Sequence, residues 1–471
     1  MSAQTLVAGV DSSTQSCKIV VCDAETGAIV RTARAPHPDG TEVDPRHWWA
    51  AYEQAGADGL LDGVSAIAVG GQQHGMVTLD DGDEVVRPAL LWNDTRSAGA
   101  AADLVEEFGG AQAWAEQIGV VPVAAITATK LRWLARNEPD SMARTRTCVL
   151  PHDWLTGQIL KDGNGFQRWV TDRGDASGTG YWSAHSQDYR ADVMDLAMGR
   201  TVEVPTVLAP HEVAGRTASG MIVAPGTGDN MGAALGLGLL PGDVVVSLGT
   251  SGTVFARHTE AVVDASGALQ SFADAEGGYL PLLCTLNAAR VLNAGAAMLG
   301  VDYAEFDRLA LAAAPGAGGL TLIPYLDGER TPNLPQSTGT LLGLTRANAT
   351  PENLARAHVE GMLLNLVAGV GALRDHGVAV ERILLIGGAS ASVAVQDIAC
   401  QLFGLPVVVP AAGEYVGLGA ARQAAWTLSG ADAPPPWEIS LDVRAEPGAP
   451  DAGAEIVGRY RDAVRALYGV V

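Results

Sequence analysis

Leu6-Val-Ala-Gly-Val10, Asp11-Ser-Ser-Thr-Gln-Ser16 and Lys18-Ile-Val-Val-Cys22 follow one another near the start of the chain. Apolar, largely β-branched runs on either side of a short polar stretch read as a buried strand, a tight turn and a returning strand. The order recurs in the second half as Val244-Val-Val-Ser-Leu248, Gly249-Thr-Ser-Gly252 and Thr253-Val-Phe-Ala256. A repeated strand–polar turn–strand predicts two halves of similar build. Pro241-Gly242, just before the second copy, marks the boundary. The expected domains are residues 1–240 and 241–471.

Working outward, Val64-Ser-Ala-Ile-Ala-Val69 is a further buried strand ending in Gly70-Gly71. Glu381-Arg-Ile-Leu-Leu-Ile386 is another, ending in Gly387-Gly388. Lys130 to Asn137 reads as helix, with Leu131 and Leu134 on one side. Asn230 to Leu240 reads as a helix packed closely through Gly and Ala. Pro351 to Arg374 is a long helix with Thr350 as N-cap and Gly377 just past its end. Pro434 to Pro436 is a loop or linker, and Glu455 to Tyr468 forms a final helix. Strands alternate with helices throughout, so the class is α/β.

The 471 residues exceed what one core accommodates, and 48% of them are apolar, enough for two cores. The net charge of −23 repels nucleic acid and anionic membrane surfaces. Cys17, Cys22, Cys148, Cys284 and Cys400 are odd in number and scattered, which indicates neither a zinc site nor a disulfide framework. Met1 to Thr5 shows no signal peptide, and the longest apolar stretch, Met231 to Leu240, is too short to span a bilayer. A cytoplasmic protein in a reducing compartment is expected. The oligomeric state, a homodimer among the options, stays open.

Three turns of small residues follow predicted strands: Asp11 to Ser16, Gly249 to Gly252, and Gly387-Gly388-Ala389-Ser390. Such turns let backbone N–H groups approach an anion. There is no Gly-x4-Gly-Lys-Ser/Thr, so this is not a P-loop, and no Gly-x-Gly-x-x-Gly follows the first strand. Asp229 follows Gly226-Thr-Gly228 where a helix opens, a position that suits either a capping carboxylate or a general base. Asp11 beside a phosphate-type turn calls for a cation, or else simply stabilises the turn.

Asp11-x-x-Thr14-x-Ser16 with Lys18, Gly249-Thr-Ser-Gly252, and Ile386-Gly-Gly-Ala389 together resemble the phosphate and adenosine motifs of the actin-like ATPase superfamily. Within it the chain resembles the FGGY carbohydrate kinases. Ala125-x-Thr127-x-x-Lys130-Leu-x-Trp133-Leu-x-Arg136-Asn137 matches that family's first signature. Gly339-x-Leu-x-Gly343-Leu with Asn353-Leu, Ala357 and Val359-Glu360 matches its second, apart from His358, where a small or aliphatic residue is usual. Gln72-Gln-His-Gly75, Leu91-Trp-Asn-Asp-Thr-Arg96, Leu150-Pro-His-Asp-Trp154, Gly226-Thr-Gly-Asp-Asn230 and Gly328-Glu-Arg-Thr-Pro332 look most like the xylulokinase branch. Gln73 departs from the Met usual there.

The resemblance implies two actin-like (ribonuclease H-like) domains with a central cleft for ATP and sugar, the sugar on the N-terminal side. It implies transfer of phosphate from ATP, with Mg2+, to a ketopentose such as D-xylulose. Another FGGY kinase, acting on ribulose or a polyol, and a non-enzymatic ATP or sugar sensor are the alternatives. The implied roles are Asp229 as catalytic base and Asp11 as metal ligand. Gln73, His74, Asn230 and Trp92 would contact sugar. Thr14, Gln15, Ser16, Lys18, Gly249, Thr250, Ser251, Gly387, Gly388, Ala389 and Ser392 would contact ATP. Trp48, Trp49 and Trp133 read as packing, and Lys130 has no evident chemical role.

Overall fold

Every residue of Leu6–Ser12 after the first is buried, which is why the strand alternates no polar residues and lies inside a sheet. The structure is a computed structural model describing residues 4–163, 165–411, 413–445 and 450–470. Leu6–Ser12 runs antiparallel to Ser16–Asp23, with Asp11 opposite Lys18. It runs parallel to Val64–Gly71, with Asp11 opposite Gly70. Val64–Gly71 in turn pairs in parallel with Thr227–Gly228, Gly70 facing Thr227 and Gly71 facing Gly228. The C-terminal ends of three parallel strands therefore meet in one row.

Two apolar layers hold this sheet. Val10, Ile19, Val21, Trp48, Tyr52, Trp154 and Leu155 pack on one face. Val7, Val20, Ala66, Ala68, Ala420 and Ala424 pack on the other. Each such Val, Leu or Ile contributes roughly 1.5–3 kcal/mol on burial. The small-residue face of the second layer is geometric: a Cβ on Gly236 would lie 2.0 Å from the Tyr415 carbonyl oxygen. The helices Asp229–Leu237 and Tyr415–Ser429 thus touch through their backbones, as the Gly/Ala spacing predicts.

The second unit repeats the plan. Asp243–Leu248 is antiparallel to Gly252–Ala256 and parallel to Arg382–Ile386. Val407–Pro410 adds a further parallel strand beside Arg382–Ile386. The long helix Pro351–Asp375 starts where expected, with the Thr350 hydroxyl accepting from the Asn353 N–H. The last helix is longer than predicted, Pro450–Tyr468.

The compact units draw on the chain differently from a single cut after residue 240. Met1–Leu239, Thr259–Leu280 and Glu414–Glu438 form one; Leu240–His258, Pro281–Gly413 and Ile439–Val471 form the other. The reason for the last exchange lies in Tyr415–Ser429, whose Gly and Ala residues pack closely on Leu6–Ser12, Val64–Gly71 and the helix Asp229–Leu237 of the first unit.

Candidate active site

The row of strand ends in the first unit delivers its polar residues to one place. Leu6–Ser12 brings Asp11, Val64–Gly71 leads into Gln72-Gln73-His74, and Thr227–Gly228 leads into Asp229. Asp229 is the first residue of its helix, after an extended Gly228. One carboxylate oxygen of Asp229 accepts from both the backbone N–H and the side-chain amide of Asn230, each at 2.8 Å. Its carboxyl is pushed up to about 7, first by burial and then by the negative charge of Asp11. Asp11 itself is buried, and burial pushes it up to about 6 although Lys18 draws it down. Its Oδ1 has no hydrogen-bond partner. Lys18 sits 3.7 Å from Asp11 and 2.6 Å from Glu414, so its charge is shared between two carboxylates.

Gln73 is buried with its Nε2 unpartnered, while its Oε1 accepts weakly from Asn230 at 3.4 Å. His74 adopts a left-handed φ of 67°. Its Nδ1 lies 2.8 Å from the Gly178 carbonyl, its own carbonyl accepts from Thr127, and its ring packs on Phe272. Trp92, read as a sugar contact, donates its indole N–H to the Thr14 hydroxyl at 2.9 Å, which braces the first turn. Gln15 is exposed at the tip of that turn and Ser16 is buried.

In the second unit Gly387 has φ 89°, and a Cβ there would lie 2.7 Å from the Leu248 backbone. Nothing lies within 4 Å of a Cβ on Gly388, so the next peptide is open. Thr250 is exposed beside the partly exposed Gly249 and Ser251, and Ala389 is partly exposed too. Ser392 is bonded within its own unit. Its hydroxyl caps the helix Val393–Phe403 by accepting from Val395, and it donates its one hydrogen to Asp307 at 2.7 Å. A hydroxyl so engaged has no hydrogen left for a nucleotide.

Several readings gain a physical account. Lys130 is fully buried and its ammonium binds the carbonyls of Ala124 and Ala125, which makes it a clamp on the turn before its helix. Trp133 lies under the guanidinium groups of Arg87 and Arg96. All five cysteines are buried thiols. No helix among the described residues is long and apolar enough to cross a membrane. Gln72, given no role from the sequence, has a buried amide with neither polar atom partnered; Asn93, which with Asp94 suits either hydroxyl binding or a helix cap, has an orphaned Oδ1. Both stand inside motifs already quoted, and the enclosure of their polar atoms is the signal that only the structure supplies.

Residues 6–236 match the N-terminal domain and residues 244–428 the C-terminal domain of the FGGY family of carbohydrate kinases. The chain belongs to this family. It is a sugar kinase with the two-domain actin-like fold. This FGGY kinase is 45% identical to a xylulose kinase of Streptomyces rubiginosus over 91% of this chain and 89% of that one. It is 33% identical to a xylulose kinase of Haemophilus influenzae over 89% of this chain and 90% of that one. The crystal structure of xylulose kinase from Bifidobacterium adolescentis superposes with a TM-score of 0.89 at 45% identity, over 98% of this chain and 100% of that one.

Proposed function

We propose that this kinase transfers the γ-phosphoryl group of ATP to D-xylulose, giving D-xylulose 5-phosphate and ADP. The observation that carries the chemistry is Asp229: a carboxyl near pH 7, oriented by Asn230 at a helix N-terminus, beside the buried amide of Gln73. A base works best when its pKa lies near the operating pH. Asp229 takes the proton of the acceptor hydroxyl as that oxygen forms its bond to the γ-phosphorus and the bond to ADP breaks. Gln73 offers its free N–H to a sugar hydroxyl, with His74 and Asn230 fixing orientation and Trp92 acting indirectly through Thr14.

The first unit serves as sugar side and the second as ATP side. Gly249, Thr250, Ser251, Gly387, Gly388 and Ala389 present open backbone and hydroxyls to the nucleotide, and Thr14 and Ser16 edge the first turn. Asp11 suits Mg2+: it is an acid with an orphaned oxygen, in the field of a second acid, and a divalent cation relieves both. Bound there, Mg2+ supplies neutralisation of phosphate charge.

A coupled ADP-release assay across D-xylulose, D-ribulose, L-ribulose, pentitols and glycerol tests this reading. D-xylulose should give the highest kcat/KM. Another ketopentose ranking first would leave only a pentulose kinase, and no sugar-dependent ADP release would remove the reaction altogether.

A further inference from the structure

Behind the substrate-side segments lies a buried cluster that the chemistry above does not use. The ring of His152 stands among Asp153, Asp172 and Asp175, all within the core. Its Nδ1 is 2.5 Å from an Asp175 oxygen; its Nε2 is 3.4 Å from Asp153 and 3.8 Å from Asp172. Asp172 is committed to the backbone N–H groups of Gly174 and Asp175. Asp153 gives one oxygen to the Leu150 N–H and leaves the other facing the ring, without a partner. Both ring nitrogens thus face carboxylates, and a neutral ring would set a lone pair against one of them. A metal explains the cluster less well. Atoms sharing an ion at about 2.0–2.2 Å stand roughly 3 Å apart, whereas Nδ1 and Asp175 are at hydrogen-bond distance.

His152 touches both segments that carry the site, one through its Cβ and backbone and the other through its ring. A Cβ on Gly71 would lie 2.8 Å from the His152 Cβ, and one on Gly226 would lie 2.4 Å from its Cδ2. Gly71 leads directly into Gln72-Gln73-His74; Gly226 leads through Thr227 and Gly228 to Asp229. The short helix Arg173–Ser177 that holds Asp175 ends at Gly178, whose carbonyl receives His74.

We propose that His152 is a positioning residue of the kinase reaction. Its ring, hydrogen-bonded to Asp175 and facing Asp153, packs on the Gly226–Asp229 segment while its Cβ and backbone pack on Gly71, which holds the Gly71–His74 and Gly226–Asp229 segments in one arrangement, so that sugar contacts and base face the same hydroxyl. Burial alone would lower the ring's pKa, but the charges of Asp153 and Asp175 reverse that and carry it to about 10. The neighbouring carboxylates therefore favour the charged form of the ring. This inference rests on the roles given above to Gln73, His74 and Asp229.

The test is steady-state kinetics on His152→Gln and His152→Lys, with thermal melting and metal analysis of each protein. His152→Gln should raise the sugar KM at least tenfold and lower kcat, with the ATP KM within twofold of the parent. His152→Lys, which keeps the cation, should recover most of the sugar KM. If His152→Gln lowers only Tm, or raises both KM values equally, the positioning role is wrong. One bound metal ion per chain that disappears with His152 also overturns it. Should His152→Gln not fold, Asp175→Asn carries the test: it keeps size, weakens the lock, and should raise the sugar KM threefold or more. An unchanged KM there sinks the proposal. A parent enzyme with no sugar-dependent activity would instead indict the kinase reading, so the two failures are separable.

Discussion

The two hairpins share a backbone and differ in chemistry. Leu6–Ser12 lies between an antiparallel return strand and a parallel strand that ends in Gly70-Gly71. Asp243–Leu248 lies between an antiparallel return strand and a parallel strand that leads into Gly387-Gly388. At the first turn stand Asp11 and Lys18; at the second, Gly249, Thr250 and Ser251, with no acid. Beyond the glycine pairs come Gln72-Gln73-His74 in one unit and Ala389-Ser390 in the other. One copy of the frame carries carboxylates, an ammonium and side-chain amides, while the other offers bare backbone and hydroxyls. The frame sets where strand ends meet, and the side chains placed there decide the chemistry.

Removing the proton acceptor should break this contrast most. Asp229→Asn keeps shape, and turnover should fall by about 10²–10⁴-fold, the usual contribution of a general base. Coupled ADP release, with circular dichroism as the check on folding, measures it; full activity would strip Asp229 of its role.

A smaller effect sharpens the other side. Gly388→Val meets open space, so the protein should fold, with the ATP KM raised about tenfold, or about 1.4 kcal/mol, and the sugar KM unmoved. Gly387→Ala meets the Leu248 backbone at positive φ, and should instead destabilise the unit by about 1–3 kcal/mol. Equal behaviour of the two variants in kinetics and melting would mean that Gly388 does not face the nucleotide.

The smallest effect is on stability and comes from the raised carboxyl. Asp229 rises from an ordinary carboxylate value to about 7 on folding. Ionised Asp229 is therefore disfavoured in the folded state. The penalty is complete above about pH 7 and shrinks as pH falls toward 4. Asp229→Asn removes it, so its Tm should exceed the parent's at pH 8, with a gap that narrows on acidification. In the parent, kcat/KM for the sugar should fall as pH drops through about 7, because protonated Asp229 cannot accept. Differential scanning fluorimetry and pH–rate profiles read both; a gap in Tm that ignores pH would contradict the assigned cause.

Much of this was legible in the chain before folding. The hairpins, the Gly-Gly strand ends, the long Thr350-capped helix and the Asp229 position all follow from local pattern, because strand and helix periodicity and cap chemistry act over a few residues. Ser392 and Trp92 were not legible. The Ser392 hydroxyl donates to Asp307 and the Trp92 indole N–H to Thr14, partners far off in the chain that no local pattern names. Lys130 had no evident chemical role in the sequence, and its partners are two carbonyls just before its helix that only the folded chain presents.

The sequence by itself determined the α/β class, the doubled plan and the kinase family, since these rest on short motifs whose meaning is carried within each segment. The tertiary structure alone decided three things: that the helix Tyr415–Ser429 belongs with the first unit, that Asp11 acts on the carboxyl of Asp229, and that His152 is caged by three acids. Each depends on burial and on contacts between residues far apart in the chain. Electrostatic effects grow as water is excluded, and no local pattern records which charges are buried together.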